Sequence, residues 1–425
     1  MVPPYLADLD HDALAVLGRE WLLHGHLQDR VGMALVMESV DREEMQQVAI
    51  EEWMAASPVY SRRMQRAMGF GDRVAGESGV DVICKNLQLD IGAPHEFMDF
   101  RFRVIDDRHA EFWLAHCGAL MDVEPMGVEF VHGMCHTIED PTFDATAAAT
   151  NPHAAIRPVH RPPRVPAGRT PHCQWRIDID ADSPAVAPHP LQAQVESSLV
   201  STVEVEALGG RDDDGLPDYA GAFNPELRLE DLSSSALLTA LQEFAVQSHL
   251  LLRGLLTSID GRLGADRVTA ITPRLVGGWC GLTAQRIRAA LGLEQTLDGL
   301  ATMLSLHPMF APRTYVGRTI TVTADEVRIG VRDCPALREG DAFTWATSLG
   351  GSMDAALDAV VAAFDPQAAC EPTTPVDGEV HAFRATIDAD RPPRDEPGEL
   401  AIAKISSGAG FRFRTPAAKV MTAHR

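Results

Sequence analysis

Two stretches of this 425-residue chain place cysteine and histidine in the same three-part frame. The first holds Cys117, then His160-Arg161-Pro162, then Cys173-Gln174-Trp175-Arg176; the second holds Cys334, then Cys370-Glu371-Pro372, then His381-Ala382-Phe383-Arg384. Each frame has two thiols and one imidazole, with the middle and last types exchanged. Thiolate sulfur and imidazole nitrogen both satisfy a divalent ion such as Zn²⁺ or Fe²⁺, so a metal site tolerates that exchange and a disulfide does not. Cys117, His160, Cys173, Cys334, Cys370 and His381 are therefore candidate metal ligands. The competing explanation is burial, because free cysteine is among the most buried residue types. Burial accounts for Cys84 and Cys280, which sit on apolar helical stretches without a partner pattern. The spacing matches no CxxC or zinc-finger signature, so the metal rests on the internal comparison alone.

Three protein ligands leave a fourth position. A fourth protein ligand would make the site structural, whereas water there would give a nucleophile near neutral pH. The first frame has Glu129, His132, Cys135, His136, Glu139 and Asp140 close by, and His136 or Glu129 is the candidate general base. His132 and His136 would share one face of a helix, although HxxxH lacks the glutamate of HExxH. The second frame offers only Asp341, Asp354 and Asp358. Chemistry is thus expected in the first copy, with the second kept for structure. Glu51-Glu52-Trp53 could aim a base toward the sheet, but acidic pairs on amphipathic helices usually face water. No phosphate-binding glycine loop, nucleophile elbow or CxxC occurs.

The frame is part of a longer self-similarity. Arg176-Ile177-Asp178-Ile179-Asp180-Ala181-Asp182-Ser183-Pro184 parallels Arg384-Ala385-Thr386-Ile387-Asp388-Ala389-Asp390-Arg391-Pro392, and Leu191…Ser197-Ser198 parallels Leu400…Ser406-Ser407. Repetition of this kind sets the architecture. The expected fold is α+β, two divergent tandem copies at 8–206 and 233–415, joined by a polar linker at 207–232 and followed by a tail at 416–425. Each copy begins helical. Leu14, Leu17, Trp21 and Val31 fall at helical spacing, as do Met45, Val48, Ala49 and Trp53 before Ser57-Pro58, which should end or kink that helix. The pattern then alternates: Phe100, Phe102 and Val104, a turn at Asp106-Asp107-Arg108, then Phe112 and Leu114 leading to Cys117, which alternation would point away from the Phe112/Leu114 face. Further strands are expected at Cys173–Ile179 and at 200–206, matched by His381–Ile387 and 411–414. Pro-rich loops opening at His160 and Cys370 are expected between strands two and three.

Composition sets limits. The net charge of −23, spread along the chain, opposes a phosphate-backbone partner. With 45% hydrophobic residues each copy can bury a core of its own. No stretch of about 18 apolar residues suggests a membrane span, and no signal-peptide pattern opens the chain, so a cytoplasmic location with reduced cysteines is expected.

The order Trp21…Gly32…Glu51, His116-Cys117, Ile138-Glu139-Asp140-Pro141, His160-Arg161-Pro162-Pro163 and Cys173-Gln174-Trp175 resembles the L-2-amino-thiazoline-4-carboxylic acid hydrolase-like family and its Cys-rich relatives. Those proteins are about half this length, so the resemblance covers each copy and is clearest over 12–182. It implies ring-opening hydrolysis of a small heterocycle, and the relatives carry cysteine where this chain has His160. The expected function is a metal-dependent hydrolase or lyase acting on a small organic molecule in the first copy. The alternative is a non-catalytic small-molecule sensor whose Cys/His metal sites are structural. Neither nucleic acid nor membrane is an expected partner. A monomer and a homodimer both stay open, because duplication can supply within one chain the interface a homodimer would make.

Overall fold

Asp10, Asp41 and Ser233 each accept a hydrogen bond from the backbone N–H three residues on, at 2.8, 2.9 and 3.2 Å, and each opens or precedes a long helix. The computed structural model describes residues 1–71, 79–209 and 215–414. Its first half runs α1 (His11–Val36), α2 (Arg42–Ala67), α3 (Val80–Gln88), β1 (Met98–Val104), β2 (His109–Cys117), α4 (Gly118–Val123), α5 (Val128–His132), α6 (Glu139–Ala148), β3 (Ala154–His160), β4 (Cys173–Ile179), α7 (Gln192–Glu196) and α8 (Leu199–Thr202). The second half runs α9 (Ser234–Leu263), α10 (Ala265–Leu291), α11 (Leu297–Ser305), α12 (Arg313–Val316), β5 (Arg318–Val322), β6 (Val327–Arg332), α13 (Met353–Phe364), β7 (Ala368–Pro372), β8 (Glu379–Ile387) and α14 (Gly398–Ala403). Each half carries one antiparallel four-stranded sheet, ordered β1-β2-β4-β3 and β5-β6-β8-β7. The fold is α+β, with the same sheet order in both halves and helices before, between and after the two strand pairs of each. The acidic run Asp212-Asp213-Asp214 of the expected linker, and the tail at 416–425, lie outside the described residues.

Hydrogen bonds repeat along with the elements. Tyr5 N–H donates to Asp8 and Arg228 N–H to Asp231, both at 2.8 Å. Ile156 N–H donates to Asp144 at 2.9 Å, and Cys370 N–H donates to Asp358 at 2.8 Å. The halves also clasp each other: α2 packs along α9, and α1 along α10 and α9. At the α2/α9 crossing, a Cβ on Gly254 would lie 2.7 Å from the Glu52 carbonyl oxygen, so only glycine lets the two backbones approach that closely.

Several expectations need correcting. Of the two outcomes expected at Ser57-Pro58, an end is ruled out: Pro58 lies within α2, which packs along α9 on through Ala67. Residues 200–206 and 411–414 are not strands: α8 occupies the start of the first, and the second is irregular. The missing strand is β3 in one half and β7 in the other, each running into the expected Pro-rich loop. Alternating short apolar residues there were too few to outweigh the prolines. Among the described residues, no helix is long and apolar enough to cross a membrane.

Candidate functional site

Strand register decides which parts of the Cys/His frame are equivalent. Leu114 pairs with Cys173 in the first sheet and Val331 with His381 in the second, so Cys173 and His381 correspond. The third position does not. Ala154 opens β3 opposite Ile179 and Ala368 opens β7 opposite Ile387, which sets Cys370 against Ile156 and leaves His160 four residues further along. His160 sits at the strand end, beyond a register irregularity, partly exposed. Cys117 is also turned from its expected face. The irregularity between Met98 and Phe100 brings it into the core, where its sulfur accepts from Leu120 N–H at 3.3 Å.

The thiols that gather are Cys117, Cys135 and Cys173, which with the Glu139 carboxyl lie close enough to influence one another electrostatically. Burial pushes all three thiols up, Cys117 to about 12, which favours the neutral thiol wherever no cation is bound. In the second half Cys334 adjoins Asp333 and Arg338, Cys370 adjoins Asp358 and Asp354, and His381 adjoins Gly350. Among the described residues, no group of three or more His, Cys, Asp or Glu side chains is placed to hold a metal ion. Nor do the expected bases reach a shared pocket. Glu129 is 68% exposed and 3.6 Å from Arg42, while His136 Nε2 bonds the Pro162 carbonyl at 2.7 Å and its ring lies 4.5 Å from that of His132.

The structure places a different set of groups around a cavity of about 260 Å³ in the first half, between α1, α2, the α4–α6 region and the sheet. Met33, Met37, Met45, Met98, Met126 and Met134 line it, with the rings of Trp53, Phe100, Phe130 and Phe143. Asp29, Arg30, Asp90, Asp122 and Glu139 interrupt that apolar wall. Residues 405 and 406, from the far end of the chain, border the mouth: Ile405 is 74% exposed, and Ser406 Oγ bonds Asp122 at 2.7 Å.

Asp29 anchors the inner end. It is 8% exposed and accepts from Trp53 Nε1 at 2.8 Å. Behind it Glu52, fully buried, accepts from Gln28 Nε2 at 2.9 Å, and the two carboxyls act on each other electrostatically. Burial beside Asp29 raises Glu52 well above the usual carboxylate range, and burial raises Asp29 as well, opposed by Arg30 and the Trp53 Nε1 bond. Burial also lifts Glu139 to about 8 and Asp90 to about 6, the latter restrained by the Gly92 N–H and the Tyr60 hydroxyl. Glu139 is half-buried and borders the cavity, and its Oε2, which has almost no accessible surface, has no hydrogen-bond partner.

A shift of 223 residues relates α1 and α2 to α9 and α10, and a shift of 214 relates Asp144 to Asp358. Under those shifts Gln28, Asp29, Glu52 and Glu139 correspond to Leu251, Leu252, Leu275 and Met353, all buried. The second half packs hydrocarbon where the first buries carboxyls. Comparison with protein-family profiles, curated proteins and solved structures finds no match.

Proposed function

We propose that the chain is a small-molecule-binding protein whose ligand chamber is the cavity of the first half, and that the two halves are divergent copies of one domain. One observation carries this reading: at four corresponding core positions the first half has Gln28, Asp29, Glu52 and Glu139 where the second has leucine or methionine. Burying a carboxyl costs several kcal/mol against a well-packed hydrocarbon side chain, so polar groups retained around a cavity favour function over stability. Seven buried, unbridged thiols fit a reducing, cytoplasmic setting.

A second reading rests on the carboxyls themselves. Glu139, raised to about 8, and Asp29, also raised by burial, line the same cavity, and two carboxyls sharing a cavity can act as acid and base in a hydrolase or lyase. That chemistry would use Glu139 and Asp29 in place of His136 and Glu129.

Nile red, a neutral dye that brightens in apolar surroundings, tests the chamber. Wild type should enhance its emission saturably, and Ala49→Phe, which fills the cavity from α2, should abolish the enhancement with the far-UV circular dichroism retained. Equal enhancement by both proteins would place the dye elsewhere and count against the chamber.

A further inference from the structure

The chamber's charges and walls bear on what it takes, and the inference rests on the chamber reading. Asp29, Asp90, Asp122 and Glu139 face it, opposed by Arg30. Arg30 has its Nε 3.7 Å from Asp122 and also acts on Asp29 and Glu139, the latter together with Arg161, so one arginine of the cavity wall stands against four acids. Arg30 Nε makes no hydrogen bond, which is the one feature that would welcome an acid. In the second half Arg253, its counterpart, contacts both Glu339 (3.4 Å) and Asp341, while the positions of Asp29 and Glu139 are held by Leu252 and Met353. Glu139 Oε2, shut off from water, has no donor. The walls add polarizable sulfur and aromatic faces, and the Trp53 ring lies beside the Asp29 carboxylate it bonds. Aromatic faces and carboxylates both attract cations, most strongly where water is excluded.

We propose that the ligand is an apolar molecule bearing a protonated amine, its hydrocarbon part packed among the methionines and phenylalanines and its ammonium group set between Asp29, Glu139 and the face of Trp53. An ammonium ion there would give the cavity side of the Glu139 carboxyl a donor and favour the charged form of Asp29.

Calorimetric titration of the full chain with 4-phenylbutylamine, 4-phenylbutanol and 4-phenylbutyrate, which share one hydrocarbon skeleton, tests this directly. The amine should bind at least tenfold more tightly than the alcohol and the acid, and Asp29→Asn should remove that preference while the alcohol still binds. Should the asparagine variant not fold, the three wild-type affinities suffice. Tightest binding of the acid would assign the chamber to Arg30 and overturn the amine, leaving the chamber itself intact. Equal affinities would likewise sink the amine. Binding of none of the three, together with no Nile red enhancement, would overturn both amine and chamber.

Discussion

Arg63 on α2 clamps Glu243 on α9 through two hydrogen bonds, from Nε at 3.0 Å and from the terminal nitrogen at 2.8 Å. Arg286 on α10 does the same to Glu20 on α1, at 2.7 and 3.0 Å. In each case 223 residues separate the corresponding partners, and each arginine also holds carbonyls of the segment that closes its own half: Ser201 and Val203 for Arg63, Gly408, Ala409 and Phe411 for Arg286. The two halves thus hold each other by the same contact made twice.

Arg286→Ala is expected to cost about 3–5 kcal/mol, the usual loss when one partner of a buried pair is removed, because Glu20 is left charged and alone. Arg63→Ala should cost a similar amount. Only the Arg286 variant should loosen residues 405–411 over the cavity mouth. Urea unfolding gives the energies, and hydrogen exchange at 405–411 separates the two; equal exchange in both variants would count against the clamp.

Gly254→Ala should destabilise by about 1–3 kcal/mol, since its methyl group would meet the Glu52 carbonyl at 2.7 Å and the helix backbones must part. Parting them moves the turn that carries Glu52, so ligand affinity should fall as well. Thermal melting within a degree of wild type would contradict the crossing.

Glu139 sets a pH dependence whose sign is fixed. Its carboxyl is raised to about 8 when folded, so between its unfolded value near 4.3 and about 8 the folded state binds the extra proton. Stability is then lost as pH rises through that window. Buried His24, His26, His249 and His307, all held below their usual range by burial, cost stability on the acid side. Comparing Glu139→Gln with wild type isolates the carboxyl: the difference should move in the variant's favour from pH 5 to pH 8.5, by a few kcal/mol at most. A constant difference across that range would show that Glu139 titrates normally.

Thiol accessibility makes a fourth prediction. All seven cysteines are buried and unbridged, so Ellman's reagent should label almost none in the native protein within minutes and all seven in guanidinium. If EDTA speeds native labelling, a bound metal was holding thiolates, which would support Cys117 and Cys173 as ligands.

Much of the fold was legible in the sequence because it depends on periodicity. The β1–β2 hairpin, the helical start of each half and the Cys173/His381 correspondence all follow from spacing that burial enforces. His160 misled because Pro162 and Pro372 look alike as letters, while the register that separates them is set by the helix-to-strand connections before β3 and β7. Asp29 and Glu52 were harder to find. They are 23 residues apart on different helices, and acidic residues on helices usually face water, which Glu51 does in part. The signal was present, however, in the same internal comparison. Extending it from cysteine and histidine to α1 and α9 would have set Asp29 against Leu252 and Glu52 against Leu275, charge against hydrocarbon in one aligned core.

The bond from Ser406 to Asp122 spans 284 positions of sequence, and its neighbour from Ser407 N–H to the same carboxylate spans 285. On the ribosome, at roughly 5–20 residues per second, that is a delay of roughly 15 to 60 s between the making of the cavity wall and the arrival of the segment that borders its mouth. The bonds of Ser406 and Ser407 to Asp122 are thus the last of the contacts shaping the cavity that synthesis permits, long after the methionines and aromatic rings of its wall have been made.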